Sequence, residues 1–145
     1  MRILIIEARY YEDISNALLE GALDALKKNK FLDITTITVP GALEIPHVIS
    51  MAERENSGYD GYIALGCVIR GETTHYDYVC SESARALMDL AINNQLAIGN
   101  GIITVENYDQ AYARADLKKK NKCGFAAETV LRMIAIKDGM KAKNV

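Results

Sequence analysis

Several things are scarce in this sequence, and each scarcity removes a class of protein. No stretch approaches the ~20 apolar residues that a membrane-spanning helix needs, so no membrane partner is expected. Neither sign of charge dominates: 17 Lys and Arg stand against 19 Asp and Glu, a formal net charge of -2. That balance gives no global reason to expect nucleic acid or an anionic membrane, although it leaves room for a local basic pocket. Only three cysteines occur, Cys67, Cys80 and Cys123, an odd number without metal-ligand spacing. They read as reduced thiols of a cytoplasmic protein. No internal repeat, low-complexity linker, P-loop or G-x-G-x-x-G fingerprint is present. The opening segment MRILIIEARYYED meets acids after a short apolar run, too soon for a secretory core. It reads instead as a first buried strand.

What remains is globular composition: 145 residues, 50% hydrophobic and 25% charged, which suits one domain over residues 1–145. RILIIEA, Arg2–Ala8, predicts a core strand. DISNALLEGALDALKKNK predicts a helix with Ile14, Leu18, Ala22, Ala25 and Leu26 near one face, and lysines suited to its C-terminal end. ITTITV is β-branched and predicts a second strand. Pro40-Gly41 punctuates it before a helix over ALEIPHVISMAERE, where Pro46 limits or kinks the first turn. YDGYIALGC predicts a third strand ending near Gly66. The helix HYDYVCSESARALMDLAINN follows, with Thr74 and Asp77 spaced as a capping box. LAIGNGIIT predicts a fourth strand weakened by Gly99 and Gly101, and two further helices fall near 106–116 and 121–137. Repeated strand–helix order implies a parallel sheet with helices on both faces, and a pocket at the strands' carboxyl ends.

The junction GCVIRGETTHYDYV, residues 66–79, concentrates polar chemistry between strand and helix. Gly66 and Gly71 permit close turns. Unpaired N–H groups at the helix start suit an anion, and Thr73 and Thr74 add hydroxyls. His75 exchanges protons if it faces a cleft, and is otherwise a surface residue beside an ordinary cap.

Three segments, PGALEIP, ALGCVIRGETTHYDYV and GNGIITVENYDQAYARA, together resemble the lumazine synthases of riboflavin biosynthesis, in order from Ile3 to about Ile136. The resemblance implies a flavodoxin-like α/β/α sandwich on a four-stranded parallel sheet. It implies homopentamers with active sites shared between subunits, and in some relatives hollow 60-subunit shells. It implies condensation of 5-amino-6-(D-ribitylamino)uracil with 3,4-dihydroxy-2-butanone 4-phosphate to 6,7-dimethyl-8-ribityllumazine, phosphate and water, with no cofactor and no metal. Carried onto this chain, His75 is the proton-transfer residue. Tyr10 faces the pyrimidine ring, while Ala42, Leu43 and Glu44 hold the ring and ribityl chain. Cys67, Val68 and Ile69 line the pocket through their backbone rather than through thiol chemistry. Glu72 and Thr73 form the phosphate turn, with the Glu72 side chain pointing outward. Arg114 binds phosphate from the neighbouring subunit, and Asn100 and Lys122 lie across the same interface.

Two positions depart from the family pattern, which commonly has phenylalanine at both. Asn100 loses an aromatic contact, and Leu43 keeps apolar contact without stacking. ADLKKKNKCG replaces a more permissive glycine-containing bend, which favours a pentamer over a closed shell. The alternatives to an enzyme are a lumazine- or flavin-binding carrier that has lost catalysis, or an assembly protein with a relic pocket.

Overall fold

A computed structural model describes residues 1–143. Four strands alternate with the helices. They are β1 (Arg2–Ala8), β2 (Asp33–Val39), β3 (Gly61–Ile69) and β4 (Ile98–Val105). The helices are α1 (Glu12–Leu26), α2 (Ile45–Arg54), α3 (His75–Asn93), α4 (Tyr108–Ala115) and α5 (Lys122–Ala142). All strand pairs are parallel, in the order β2-β1-β3-β4. This is the expected flavodoxin-like sandwich.

Alternation along the strands sorts the core into two layers. Ile3, Ile5, Ile63, Leu65, Ile103 and Val105 pack with Ile14, Leu18, Ala127 and Val130 of α1 and α5. Leu4, Ile6, Tyr62 and Ala64 pack on the opposite face with Ile45, Ile49 and Leu87 of α2 and α3. β1 and most of β3 are buried on both faces, which is why they read as apolar runs, whereas the edge strand β2 is largely exposed.

The chain runs from β1 out to β2, then returns to the other side of β1 as β3. That reversal lies between β1 and β3, and a crevice opens beyond the carboxyl ends of these strands.

Several local expectations are corrected. β3 continues through Ile69, so Gly66 lies inside a strand and makes no turn. Ala42–Glu44 is a separate 3-10 turn, and Pro46 sits in the first turn of α2 without kinking it. α1 ends at Leu26, leaving Lys27, Lys28 and Lys30 beyond it. Thr74 stands at the start of α3 but makes no side-chain cap. Thr73 does part of that work: its Oγ1 accepts from the His75 N–H at 3.3 Å. Gly99 does not weaken β4. A Cβ there would sit 2.2 Å from the Ala126 carbonyl oxygen, so glycine is what lets α5 lie this close. The bend before α5 does need a positive φ, and Asn121 takes it at 44°. Its side chain accepts from the Gly124 N–H at 3.1 Å and so starts α5 at Lys122.

Candidate active site

A cavity of about 320 Å³ occupies the crevice beyond β1 and β3. β1 supplies Ala8 and delivers Tyr10 and Tyr11 to its rim. Pro40, Gly41 and Ala42 form one wall, and the end of β3 supplies Cys67, Val68 and Ile69. Gly71, Thr73, His75, Tyr76 and Val79 close the side formed by the start of α3.

Tyr10 is 79% exposed, and its ring meets Tyr11 edge-on at 4.8 Å between centroids. A broad aromatic face therefore stands open at the rim, supported from behind. Burial pushes the Cys67 thiol up to about 11. Cys67 is thus a neutral thiol near neutral pH and a poor nucleophile, and its contribution is backbone and shape. His75 is exposed at the helix start, where its imidazole is free to meet a ligand. Since the Thr73 hydroxyl accepts from His75, its own proton remains available to donate outward.

Leu43, Glu44 and Glu72 do not line this cavity. Leu43 is exposed and Glu44 half-buried. A Cβ on Gly41 would lie 3.0 Å from Glu44 Oε2, so the carboxylate folds back beside the wall. The Glu72 side chain is exposed.

Asn100, Arg114 and Lys122 lie elsewhere. They share a concavity of about 510 Å³ along the edge strand β4 with Thr104, Phe125 and Thr129. Arg114 is half-buried, and its Nη1 donates to the Gln110 carbonyl at 3.1 Å. Neither Arg114 nor Lys122 pairs with a carboxylate among the described residues. Two cations without counter-charges suit an anion. Asn100 Oδ1 accepts from the Ile102 N–H at 3.0 Å, which fixes the amide. Among the described residues no group of three His, Cys, Asp or Glu side chains is arranged to hold a metal.

Sequence reasoning missed Tyr11, Tyr76 and Val79 in the cavity wall. Helical spacing contained the signal for the last two: positions 76 and 79 lie on one face of a helix that starts at His75. Tyr11 follows Tyr10 directly, and the turn into α1 carries both to the rim.

The fold and cavity together define a flavodoxin-like α/β protein with its site at the carboxyl ends of a parallel sheet. Many chemistries share that class, and the comparisons narrow it. The profile of the 6,7-dimethyl-8-ribityllumazine synthase family matches residues 1–138. The protein of that name from Bartonella tribocorum is 61% identical over 135 residues, covering 93% of this chain and 89% of its own length. The one from Agrobacterium fabrum is 55% identical over 140 residues, covering 93% of each chain. 6,7-Dimethyl-8-ribityllumazine synthase 1 of Rhizobium meliloti is 53% identical over 148 residues, covering 99% of this chain and 95% of its own. The chain belongs to the 6,7-dimethyl-8-ribityllumazine synthase family.

Proposed function

We propose that this chain catalyses the lumazine synthase reaction of riboflavin biosynthesis. It condenses 5-amino-6-(D-ribitylamino)uracil with 3,4-dihydroxy-2-butanone 4-phosphate and releases 6,7-dimethyl-8-ribityllumazine, phosphate and water. The observation that carries the reading is the convergence on one cavity of an aromatic rim, a backbone-lined wall and a helix start bearing Thr73 and His75.

The substrates divide between these parts. A flat pyrimidine stacks on Tyr10, and its edge is read by backbone groups of Ala42 and Cys67–Ile69. Leu43 and Glu44 meet the ribityl chain at the mouth, with the Glu44 carboxylate accepting from a hydroxyl. The phosphate sits at the start of α3, where Thr73 and unpaired N–H groups of the Glu72–Thr73 turn donate to it. Arg114 from a neighbouring subunit completes the phosphate site, and Lys122 and Asn100 of that subunit close the opposite wall.

His75 moves protons. The 5-amino group attacks the ketone, and the carbinolamine loses water once its hydroxyl is protonated. Removal of a carbon-bound proton expels phosphate. The second amine then closes the ring, with loss of a further water. A positioned imidazole serves each transfer as base or acid. No step has a net oxidation, so the chemistry calls on no redox cofactor.

The two separate half-sites on one chain, at the crevice and along β4, support sites shared between subunits. The assembly is a homopentamer in the cytoplasm. Exposed Tyr78, Met88 and Ile92 along α3 offer apolar surface for contacts between copies. Lys118, Lys119 and Lys120 before α5 disfavour closure into a shell.

Purified protein supplied with both substrates tests the activity. The lumazine chromophore should appear in step with phosphate release, and solution mass should correspond to five subunits. Flavin or lumazine binding without turnover would replace the enzyme reading with that of a carrier.

A further inference from the structure

Arg70 is the residue of the strand-to-helix junction that the proposed reaction leaves unused. It lies between Ile69 and Gly71, which both wall the cavity, yet it does not line the cavity itself. Its guanidinium makes three engagements instead. Nε donates to Glu106 Oε2 at 2.8 Å, and Nη1 reaches Asp77 Oδ1 at 3.4 Å. Its flat face lies over the Tyr76 ring, 4.2 Å from the centroid. Asp77 and Tyr76 are the two residues that follow His75.

The first turn of α3 gains from such support. Thr74 gives it no side-chain cap, and its local anchors are the Thr73 hydroxyl, which accepts from the His75 N–H at 3.3 Å, and the Thr74 carbonyl, which accepts from the Asp77 N–H at 3.0 Å. N–H groups kept free for an anion cannot also anchor the turn. The far end of the brace is itself held. The Glu106 N–H donates to Gln110 Oε1 at 2.8 Å, tying the β4–α4 connection to α4. The Arg70 N–H donates to the Val105 carbonyl at 2.9 Å, so both partners sit at the end of β4.

We propose that Arg70 is a positioning residue: from behind the cavity it braces the first turn of α3 against the end of β4, and so fixes the His75 imidazole. The inference rests on the reading of His75 as the proton-transfer group. Arginine suits the task because one planar fork meets two carboxylates while its face covers a ring. Lysine, a point charge on a flexible stem, meets at most part of that set. Without the cation, Asp77 and Glu106 face each other as like charges and drive the turn away from β4.

Three variants test this: Arg70→Ala, Arg70→Lys and Glu106→Gln. Steady-state kinetics with both substrates are combined with solution mass and thermal melting. The imidazole resonances of His75 and His47, the two histidines of the chain, supply a readout independent of turnover. Arg70→Ala should lower kcat by about 10- to 100-fold, the scale of a misplaced catalytic group. KM for either substrate should move by less than about threefold, because no binding group is removed. The His75 resonance should shift or broaden while that of His47 stays in place. Arg70→Lys should restore part of kcat, and Glu106→Gln should fall between wild type and Arg70→Ala.

If Arg70→Ala fails to assemble, the two milder variants decide by the same readouts. Wild-type kcat in assembled variants, or an unmoved His75 resonance, overturns the brace. A wild-type protein that makes no lumazine overturns the functional reading instead, and the His75 resonance still decides the brace.

Discussion

The two polar regions of this chain are built on opposite plans. The cavity around His75 sits at the sheet's reversal point, and three stretches of chain close around it, Ala8–Tyr11, Pro40–Ala42 and Cys67–Val79. The concavity around Arg114 lies along the edge strand β4, with α5 and Arg114 of α4 forming its other wall. The first is a site nearly complete in one chain. The second holds two cations that pair with no carboxylate among the described residues, and its Asn100 Oδ1 accepts from the Ile102 N–H, a donor that an edge strand has no neighbour to take. A half-site with charge but no enclosure is useful only when something else closes it. The comparison therefore teaches that His75 and Arg114 lie in separate concavities of one chain, so the proposed reaction needs an assembly to bring them together.

The sharpest way to break the comparison is at His75. Replacing it with alanine should lower kcat by about 100-fold or more, the usual worth of general acid–base catalysis. Folding should be unchanged, because the side chain is exposed on the single chain, and solution mass checks that assembly is kept. Single-turnover kinetics with both substrates bound check this, and unchanged chemistry would remove His75 from the mechanism.

Arg114→Ala should come next, with kcat/KM for the phosphorylated substrate lowered by about 10- to 100-fold through loss of a charge-assisted pair. Uracil-substrate affinity should change little. Dissociated and remixed His75→Ala and Arg114→Ala chains should regain activity. A shared site takes one residue from each subunit, so roughly a quarter of sites in an equal mixture become wild type. Verified mixed assemblies without any recovery would mean that a single subunit supplies both residues to each site.

The same two regions explain what was legible in the sequence. The strands, their parallel order and the layered fold followed from apolar runs such as Ile3–Ile6, since burial on both faces imposes that pattern. The residues around His75 were also readable, because the crevice draws them from short contiguous stretches. Tyr11 and Tyr76 escaped because each stands beside a more conspicuous neighbour. Gly66 and Gly99 were misread for a common reason: glycine suggests a turn or a weak strand, whereas Gly99 answers to the Ala126 backbone, 27 positions away. The distance between the two regions was not legible at all from composition or periodicity. Only the resemblance separated Arg114 from His75, and the fold shows the two facing different concavities.

Thr73 tests the phosphate turn with a smaller effect. Thr73→Ala removes one hydroxyl donor, worth about 0.5–1.5 kcal/mol, or about threefold to tenfold in KM for the phosphorylated substrate. It also removes the acceptor of the His75 N–H, so a modest fall in kcat should accompany the change in KM. Thr73→Ser should recover both. Equal weakening of the two substrates would assign Thr73 to the turn's structure rather than to phosphate.

Asn100 should give the smallest effect and the most specific one. A backbone N–H can donate only to an acceptor, so the atom bonded to Ile102 must be the amide oxygen. The amide nitrogen is then the group left to face the open concavity, and Asn100 can offer a ligand hydrogen-bond donation but not the stacking of an aromatic ring. Asn100→Asp separates these roles. The remaining oxygen can still cap Ile102, so melting temperature and assembly should be preserved. The second oxygen accepts where the amide donated, and it carries charge toward Arg114 and Lys122. Loss of one donor predicts a KM raised by about threefold to tenfold, with kcat less affected. Asn100→Ala loses the cap as well and should melt earlier. An Asn100→Asp protein with unchanged KM would mean that the amide serves only the edge of β4, and that substrate contact across the interface belongs to Arg114 and Lys122.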